Sequence, residues 1–179
     1  MKLDPRVLLN FAVFYAGWFA CVLGAAHQQP WLGTCTVMLA CTLHLTLARR
    51  AAREVILLTL ALLIGAAWDS ALVALHITSY ASGNFAPNIA PHWIIALWAL
   101  FTTTLNVSLA WLKHRYLLAA GFGAIGSALS FFAGYRMGAV QMPNLQTGLL
   151  AQAIGWAVIL PLLCLLAARF NGFAPAARA

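Results

Sequence analysis

The sequence predicts an all-α membrane protein, a bundle of six transmembrane helices. The chain is 64% hydrophobic and 7% charged, whereas a soluble domain carries roughly a quarter charged residues. Its hydrophobic residues are concentrated in six runs, each about long enough to cross a bilayer as a helix. The segments between these runs alternate between basic and nearly uncharged, as the inner and outer loops of membrane proteins do.

Each apolar run is predicted to be a helix because backbone groups in hydrocarbon must hydrogen-bond internally. The alternating ten-residue pattern of a membrane β-barrel does not occur. We expect a single integral-membrane domain over residues 1–179. Its spans, with boundaries good to a few residues, are 7–25, 31–48, 55–76, 93–112, 116–135 and 146–168.

The first run imitates a signal peptide, because Lys2 and Arg6 precede an apolar stretch that ends in small residues. The run also carries Asn10, Tyr15 and Trp18, and five more apolar runs follow. We therefore expect it to be a retained first helix.

The basic residues predict the orientation of the bundle. Nine of the ten Lys and Arg residues fall on one side if six spans alternate in direction. The positive-inside rule places that side, with both termini, in the cytoplasm. The formal net charge of +7 therefore indicates membrane topology rather than nucleic-acid binding. The nine residues are Lys2, Arg6, Arg49, Arg50, Arg53, Lys113, Arg115, Arg169 and Arg178.

Asp69 and Arg136 break this charge pattern. Asp69 lies inside the third span, where a carboxylate costs about 2.5–3.5 kcal/mol, so it must face the interior and have a partner. It could couple protons, bind a polar ligand or form a structural hydrogen bond. Arg136, at the outer end of the fifth span, is the predicted counter-charge. It could instead hold an anion or extend from the membrane interface.

Three further residues are predicted to shape the site around Asp69: His27, His76 and Trp68. His76 follows Asp69 by seven positions, which places both on one helical face. His27, His76 and His92 lie near the outer surface and, with Asp69, could hold zinc. That alternative is weak because the ligands come from separate segments. We expect no cofactor.

Polar and small residues mark spans four and five. In span four, Thr102 lies four residues before Asn106, and interhelical hydrogen bonding explains this polar band, with a polar path as the alternative. In span five, Gly126, Ser130 and Gly134 recur at four-residue spacing, which favours close helix packing or a dimer contact. The cysteines are interpreted as buried small hydrophobes, with a Cys21–Cys35 bridge left open.

Several segments resemble a family of small six-helix bacterial inner-membrane proteins of unknown function. The resemblance rests on residues 17–26 with Pro30-Trp31-Leu32-Gly33, on Trp98 to Leu109, and on Ala133 to Val140 with Gly155-Trp156 and Pro161. Val107 departs from it, because a polar residue, often His, is expected after the asparagine. Members of this family are often encoded near cyclopropane fatty-acid synthases and oxidoreductases, which is an association and implies no reaction.

The sequence favours a non-enzymatic, transporter-like or small-substrate-handling protein with a polar site toward the outer face. The alternative is an accessory factor for membrane fatty-acid or lipid modification that binds acyl chains. A metal-dependent membrane enzyme is a third interpretation. We expect membrane lipids as partners, with a small-molecule or lipid ligand and a homodimer as further candidates, and no nucleic acid.

Overall fold

The computed structural model describes residues 4–173, where six α-helices form an all-α fold. A 3-10 helix (Ala110–Leu112) and a pair of two-residue strands complete it. Lys2 and Arg178 lie outside the described residues. The helices are α1 Pro5–Ala26, α2 Pro30–Leu47, α3 Ala51–Ala74, α4 His92–Leu105, α5 Tyr116–Arg136 and α6 Leu145–Arg169; the strands are β1 Ser79–Tyr80 and β2 Val140–Gln141.

Five of the described helices are long and apolar enough to cross a membrane: α1, α2, α3, α5 and α6. The beginnings of the first two follow from their sequences. Asp4 caps α1 by accepting a hydrogen bond from the backbone N–H of Arg6 at 2.9 Å, and proline occupies the first turn of both α1 and α2. Proline suits that position because its fixed φ is helical and its missing N–H would have no helical partner there.

The predicted span 93–112 is wrong in its last third, because α4 ends at Leu105. Beyond it, the backbone N–H groups of Val107 and Leu109 both donate to the Thr104 carbonyl, at 3.1 and 2.8 Å. Fourteen helical residues rise about 21 Å, short of a hydrocarbon core of about 30 Å. A turn and the 3-10 helix follow α4. Leu105 and Leu112 are fully buried on either side of that turn, which packs both ends of this irregular segment inside the protein.

The connections between helices gather at two opposite ends of the bundle. At one, which we call the strand end, β1 pairs antiparallel with β2, and Ser82 donates to the Ala25 carbonyl at 2.8 Å. At the other, the basic end, the backbone N–H of Arg50 donates to the Gly172 carbonyl at 3.0 Å. The helices therefore alternate in direction. That the basic end faces the cytoplasm stays a prediction.

α4 is the central helix of the fold, packing against α1, α2, α3 and α6. α5 packs mainly along α6, and α1 mainly along α2 and α4. The long connection after α3 folds back onto the strand end, where the indole N–H of Trp93 donates to the Ser82 carbonyl at 3.0 Å. This arrangement leaves α1 and α5 as neighbours with a gap between them.

Candidate functional site

Asp69 lies on the inner face of α3, five residues before the end of that helix. Its side chain is 0% exposed. Trp98 of α4 donates its indole N–H to Oδ2 at 2.6 Å, and Oδ1 accepts from the Tyr80 hydroxyl at 3.3 Å and the Gln152 amide at 3.5 Å. Buried polar groups are tolerated when they are hydrogen-bonded. Three neutral donors from three separate elements hold this carboxylate.

Tyr80 stays a donor because of its surroundings. Burial raises the pKa of Tyr80 well above its ordinary value, and the neighbouring Asp69 carboxylate raises it further. The hydroxyl therefore keeps its proton and can donate to Asp69. Since Tyr80 belongs to β1, the strand pair is tied directly to the buried carboxylate.

Two glycines admit the tryptophans around Asp69. A Cβ at Gly65 would overlap the Trp98 ring, and a Cβ at Gly155 would overlap the Trp68 ring. The Trp98 ring also stacks on Trp156, with ring centroids 4.5 Å apart and planes inclined by 17°. Trp68, half-buried, donates to the Gln152 side chain at 3.2 Å. The predicted residue Trp68 thus reaches Asp69 through Gln152.

Arg136 does not lie against Asp69. It is the last residue of α5 and is exposed, whereas the hydrogen bonds of Asp69 come from Trp98, Tyr80 and Gln152. Within residues 4–173 the single salt bridge joins His44 and Glu54. The expected ion pair is therefore absent from the described part of the chain, because neutral donors occupy the position predicted for the arginine.

The three outer histidines are separated. His27 is exposed and its Nδ1 lies 2.8 Å from the Leu23 carbonyl, at the end of α1. His76 is also exposed, beyond the end of α3, with a φ of 55°. His92 lies 2.6 Å from the Thr34 hydroxyl and stacks on Trp31. Among residues 4–173, no three His, Cys, Asp or Glu side chains are grouped to hold a metal ion.

The polar residues of span four form hydrogen bonds both within α4 and to α3. Thr102 donates to the Trp98 carbonyl of its own helix at 2.7 Å, so it makes no predicted interhelical bond. Asn106 lies just past the end of α4 and donates to Glu54 Oε1 of α3 at 2.8 Å. Ser108 lies beyond the end of the helix, so the predicted band does not continue on one helical face.

An apolar groove opens between α1 and α5, with a volume of about 440 Å³. We call it the α1–α5 groove. α4 forms its floor, and Trp156 and Asp69 lie along its inner edge. The α5 wall extends from Phe122 to Gly134, or about 18 Å at 1.5 Å per residue. Its aromatic residues are Phe14, Tyr15, Trp18, Phe19, Trp93, Trp98, Phe101, Phe122, Phe131 and Trp156.

The small residues of α5 widen this groove. Gly126, Ser130 and Gly134 all line it, and a Cβ at Gly126 would meet nothing within 4 Å. Across the groove, Trp18 donates its indole N–H to the Ser130 hydroxyl at 3.0 Å. Close helix packing was predicted for these residues. In the structure they instead leave the groove open, because large side chains at Gly126 and Ser130 would fill it.

A second buried carboxylate, which the sequence analysis missed, lies at the basic end. Glu54 is 0% exposed. Its Oε2 lies 2.9 Å from His44 Nε2, and its Oε1 accepts from Asn106 and from the backbone N–H of Gly172 at 2.6 Å. Lys113 completes the cluster by donating to the side-chain oxygen Oδ1 of Asn106 at 2.7 Å. Burial lowers the pKa of Lys113, whereas the negative charge of Glu54 raises it.

The cysteines are free in the structure. Cys21 and Cys164 are buried, as expected for small hydrophobes, whereas Cys35 is exposed. The bridge left open between Cys21 and Cys35 does not form. Cys21 packs instead against Gly33 of α2, where a Cβ would contact its sulfur.

The fold and these buried clusters define an all-α protein whose long apolar helices favour a membrane-embedded bundle. The chain belongs to the DUF2878 family, described as a protein of unknown function, which matches residues 7–162. The resemblance to a family of unknown function is thereby confirmed. No curated protein and no solved structure matches the chain.

Proposed function

We propose that the protein is a membrane-embedded bundle that binds the alkyl or acyl chain of an amphiphile in the α1–α5 groove. The observation that carries the proposal is the groove itself, a cavity of about 440 Å³ with a predominantly apolar and aromatic lining. Ligand sites of this kind pair a largely apolar wall with a few placed polar groups. Asp69, Ser127 and Ser130 are the polar residues of this one.

The groove is continuous with the exterior of the bundle. Tyr15 and Phe19 of α1 and Phe122 and Leu129 of α5 line it, and all four are exposed by at least 42%. In a membrane these surfaces face acyl chains. A lipid chain could therefore enter sideways between α1 and α5 without crossing water.

The transporter-like interpretation has less support. It needs a hydrated path to Asp69, and that side chain is 0% exposed with its oxygens bonded to Trp98, Tyr80 and Gln152. A lateral apolar groove fits the alternative predicted from sequence, an accessory factor that binds acyl chains during membrane lipid modification. The cytoplasmic location of the basic end and a homodimer remain parts of the proposal.

A groove-filling substitution tests this proposal. Gly126→Leu places a side chain in the groove, and Gly121→Leu is its matched control, since both glycines lie on α5 with open space at the Cβ position and Gly121 does not line the groove. A fluorescent alkyl-chain probe is titrated into each purified variant in detergent. We expect a loss of affinity of at least about tenfold for Gly126→Leu, equivalent to about 1.4 kcal/mol, and none for Gly121→Leu. Equal binding by both variants would overturn the proposal.

A further inference from the structure

The α1–α5 groove has a property beyond its apolar lining, an anionic group behind an aromatic wall. We infer that its preferred occupant is a cationic amphiphile, an alkyl chain that ends in an ammonium group. The chain would lie along α5 and the charge near the Asp69 edge. This inference rests on the proposed function and names the chemical class of its ligand.

The first argument is the missing positive charge. No salt bridge to Asp69 occurs within residues 4–173, and its partners Trp98, Tyr80 and Gln152 are neutral donors. A charge buried without a counter-charge is costly. A cation that enters the adjacent groove would supply the counter-charge that residues 4–173 do not provide.

The second argument is the character of the wall in front of that charge. Phe14, Trp18 and Phe101 line the groove as half-buried aromatic side chains. Aromatic faces attract ammonium groups through the ring quadrupole, more strongly when the contact is desolvated. Asp69 lies at the edge of this lining, and its side chain is 0% exposed. The charge therefore acts through space on a cation in the groove, without direct contact.

The third argument is the distribution of the other charges. Among residues 4–173, Asp69 is the single acidic residue that lines the groove, and no Lys or Arg of that range lines it. The other two acidic residues lie elsewhere: Glu54 is at the basic end, held by His44, Asn106 and Gly172, and Asp4 caps α1. The groove is thus negative at its inner edge alone. An anionic head group would be repelled there, and a neutral one would gain nothing from the charge.

The test compares two probes with the same alkyl chain. One ends in a trimethylammonium group and the other in its neutral carbon isostere, a tert-butyl group. Each is titrated, below its critical micelle concentration, into the purified full chain and followed by the fluorescence of the groove tryptophans. We expect the cation to bind the wild-type protein on the order of tenfold more tightly than the neutral probe, because a carboxylate beside the groove attracts a cation at the effective dielectric constant of about 20 that applies inside proteins.

Asp69→Asn and Gly126→Leu separate this inference from the proposed function. Asp69→Asn retains an acceptor for Trp98 but removes the charge, so both probes should bind it with the affinity of the neutral one. Gly126→Leu should weaken both probes equally. Wild-type protein that binds both probes equally well would overturn the inference and leave the groove function standing. Failure of both probes to bind would overturn both, and the wild-type comparison decides even if Asp69→Asn does not fold.

Discussion

Trp98 and Asp69 are joined by a 2.6 Å hydrogen bond between the central helix α4 and α3. The two residues are 29 positions apart in sequence. The bond fixes the indole ring between Gly65 and Trp156 and satisfies one oxygen of a fully buried carboxylate. Our first three predictions concern this pair and the groups packed around it. The fourth concerns the buried Glu54 at the basic end.

Replacing Asp69 should reveal how much its acceptor oxygens contribute to stability. Asp69→Ala leaves Trp98, Tyr80 and Gln152 without their common acceptor, and each unsatisfied buried donor costs about 1–3 kcal/mol. We expect the free energy of unfolding to fall by about 3 kcal/mol or more, measured by reversible unfolding in mixed micelles. Asp69→Asn keeps an oxygen acceptor and should lose less than half as much. Equal losses in both variants would contradict this account.

Trp98→Phe and Trp156→Phe form a matched pair. The two rings stack on each other, but the Trp98 N–H has a partner, whereas the buried N–H of Trp156 has none within the described residues. Trp98→Phe should cost about 1–3 kcal/mol because Asp69 loses its shortest hydrogen bond. Trp156→Phe should be close to neutral by the same unfolding measurement. A reversed order would show that ring packing, rather than hydrogen bonding, dominates.

Gly65→Ala should be destabilising although alanine is the better helix former. The added Cβ would overlap the Trp98 ring, and forcing extra atoms into a packed core typically costs about 1–3 kcal/mol. Gly126→Ala is the control, because nothing lies within 4 Å of its new Cβ and it gains about 1 kcal/mol of helix propensity. Thermal unfolding in detergent should shift in opposite directions for the two variants.

Glu54→Ala should release the C-terminal segment from the basic end. The backbone N–H of Gly172 loses its acceptor, and Asn106 loses its anchor on α3. Hydrogen exchange of residues 170–173 should accelerate at least about tenfold, since one lost hydrogen bond to a charged group is worth about 1.5–3 kcal/mol. Arg53→Ala, an exposed neighbour, should leave exchange unchanged. Unaltered protection in Glu54→Ala would show that Glu54 does not hold the segment.

The orientation can be determined by labelling single introduced cysteines in intact cells. Asn84→Cys lies in the connection at the strand end and Arg115→Cys at the basic end, and both positions are exposed. A membrane-impermeant maleimide should label Asn84→Cys directly and Arg115→Cys after permeabilisation, above the background of the four native cysteines. The opposite pattern would invert the topology that the positive-inside rule predicts.

The hydropathy pattern was enough to predict five of the helices, whose ends differ from the predicted spans by a few residues. It failed at α4, because Leu109, Ala110, Trp111 and Leu112 continue the apolar run beyond Leu105, where the helix ends. A membrane charge rule also singled out Asp69. Its partners were beyond prediction, since Gln152 is 83 positions away and reaches Asp69 through the packing of α6 against α3.

Arg136 and Glu54 show the limits of arguing from charge alone. Opposite sign and similar depth suggested that Arg136 would meet Asp69, but a neutral indole and amide are there instead. Glu54 was not singled out from the sequence, because it lies just before the predicted span 55–76, at the cytoplasmic edge. The signal that could have found it was His44, ten positions earlier, another polar residue inside an apolar run.

The strand pair at the strand end of the bundle connects one wall of the α1–α5 groove to Asp69. β2 follows directly after α5, which forms one wall, and β1 contains Tyr80, whose hydroxyl lies on Asp69. If α5 swings outward to admit a bulky chain, it pulls β2, then β1, and then Tyr80 away from the carboxylate. The position of α5 and one of the three hydrogen bonds of Asp69 are therefore coupled through the strand pair.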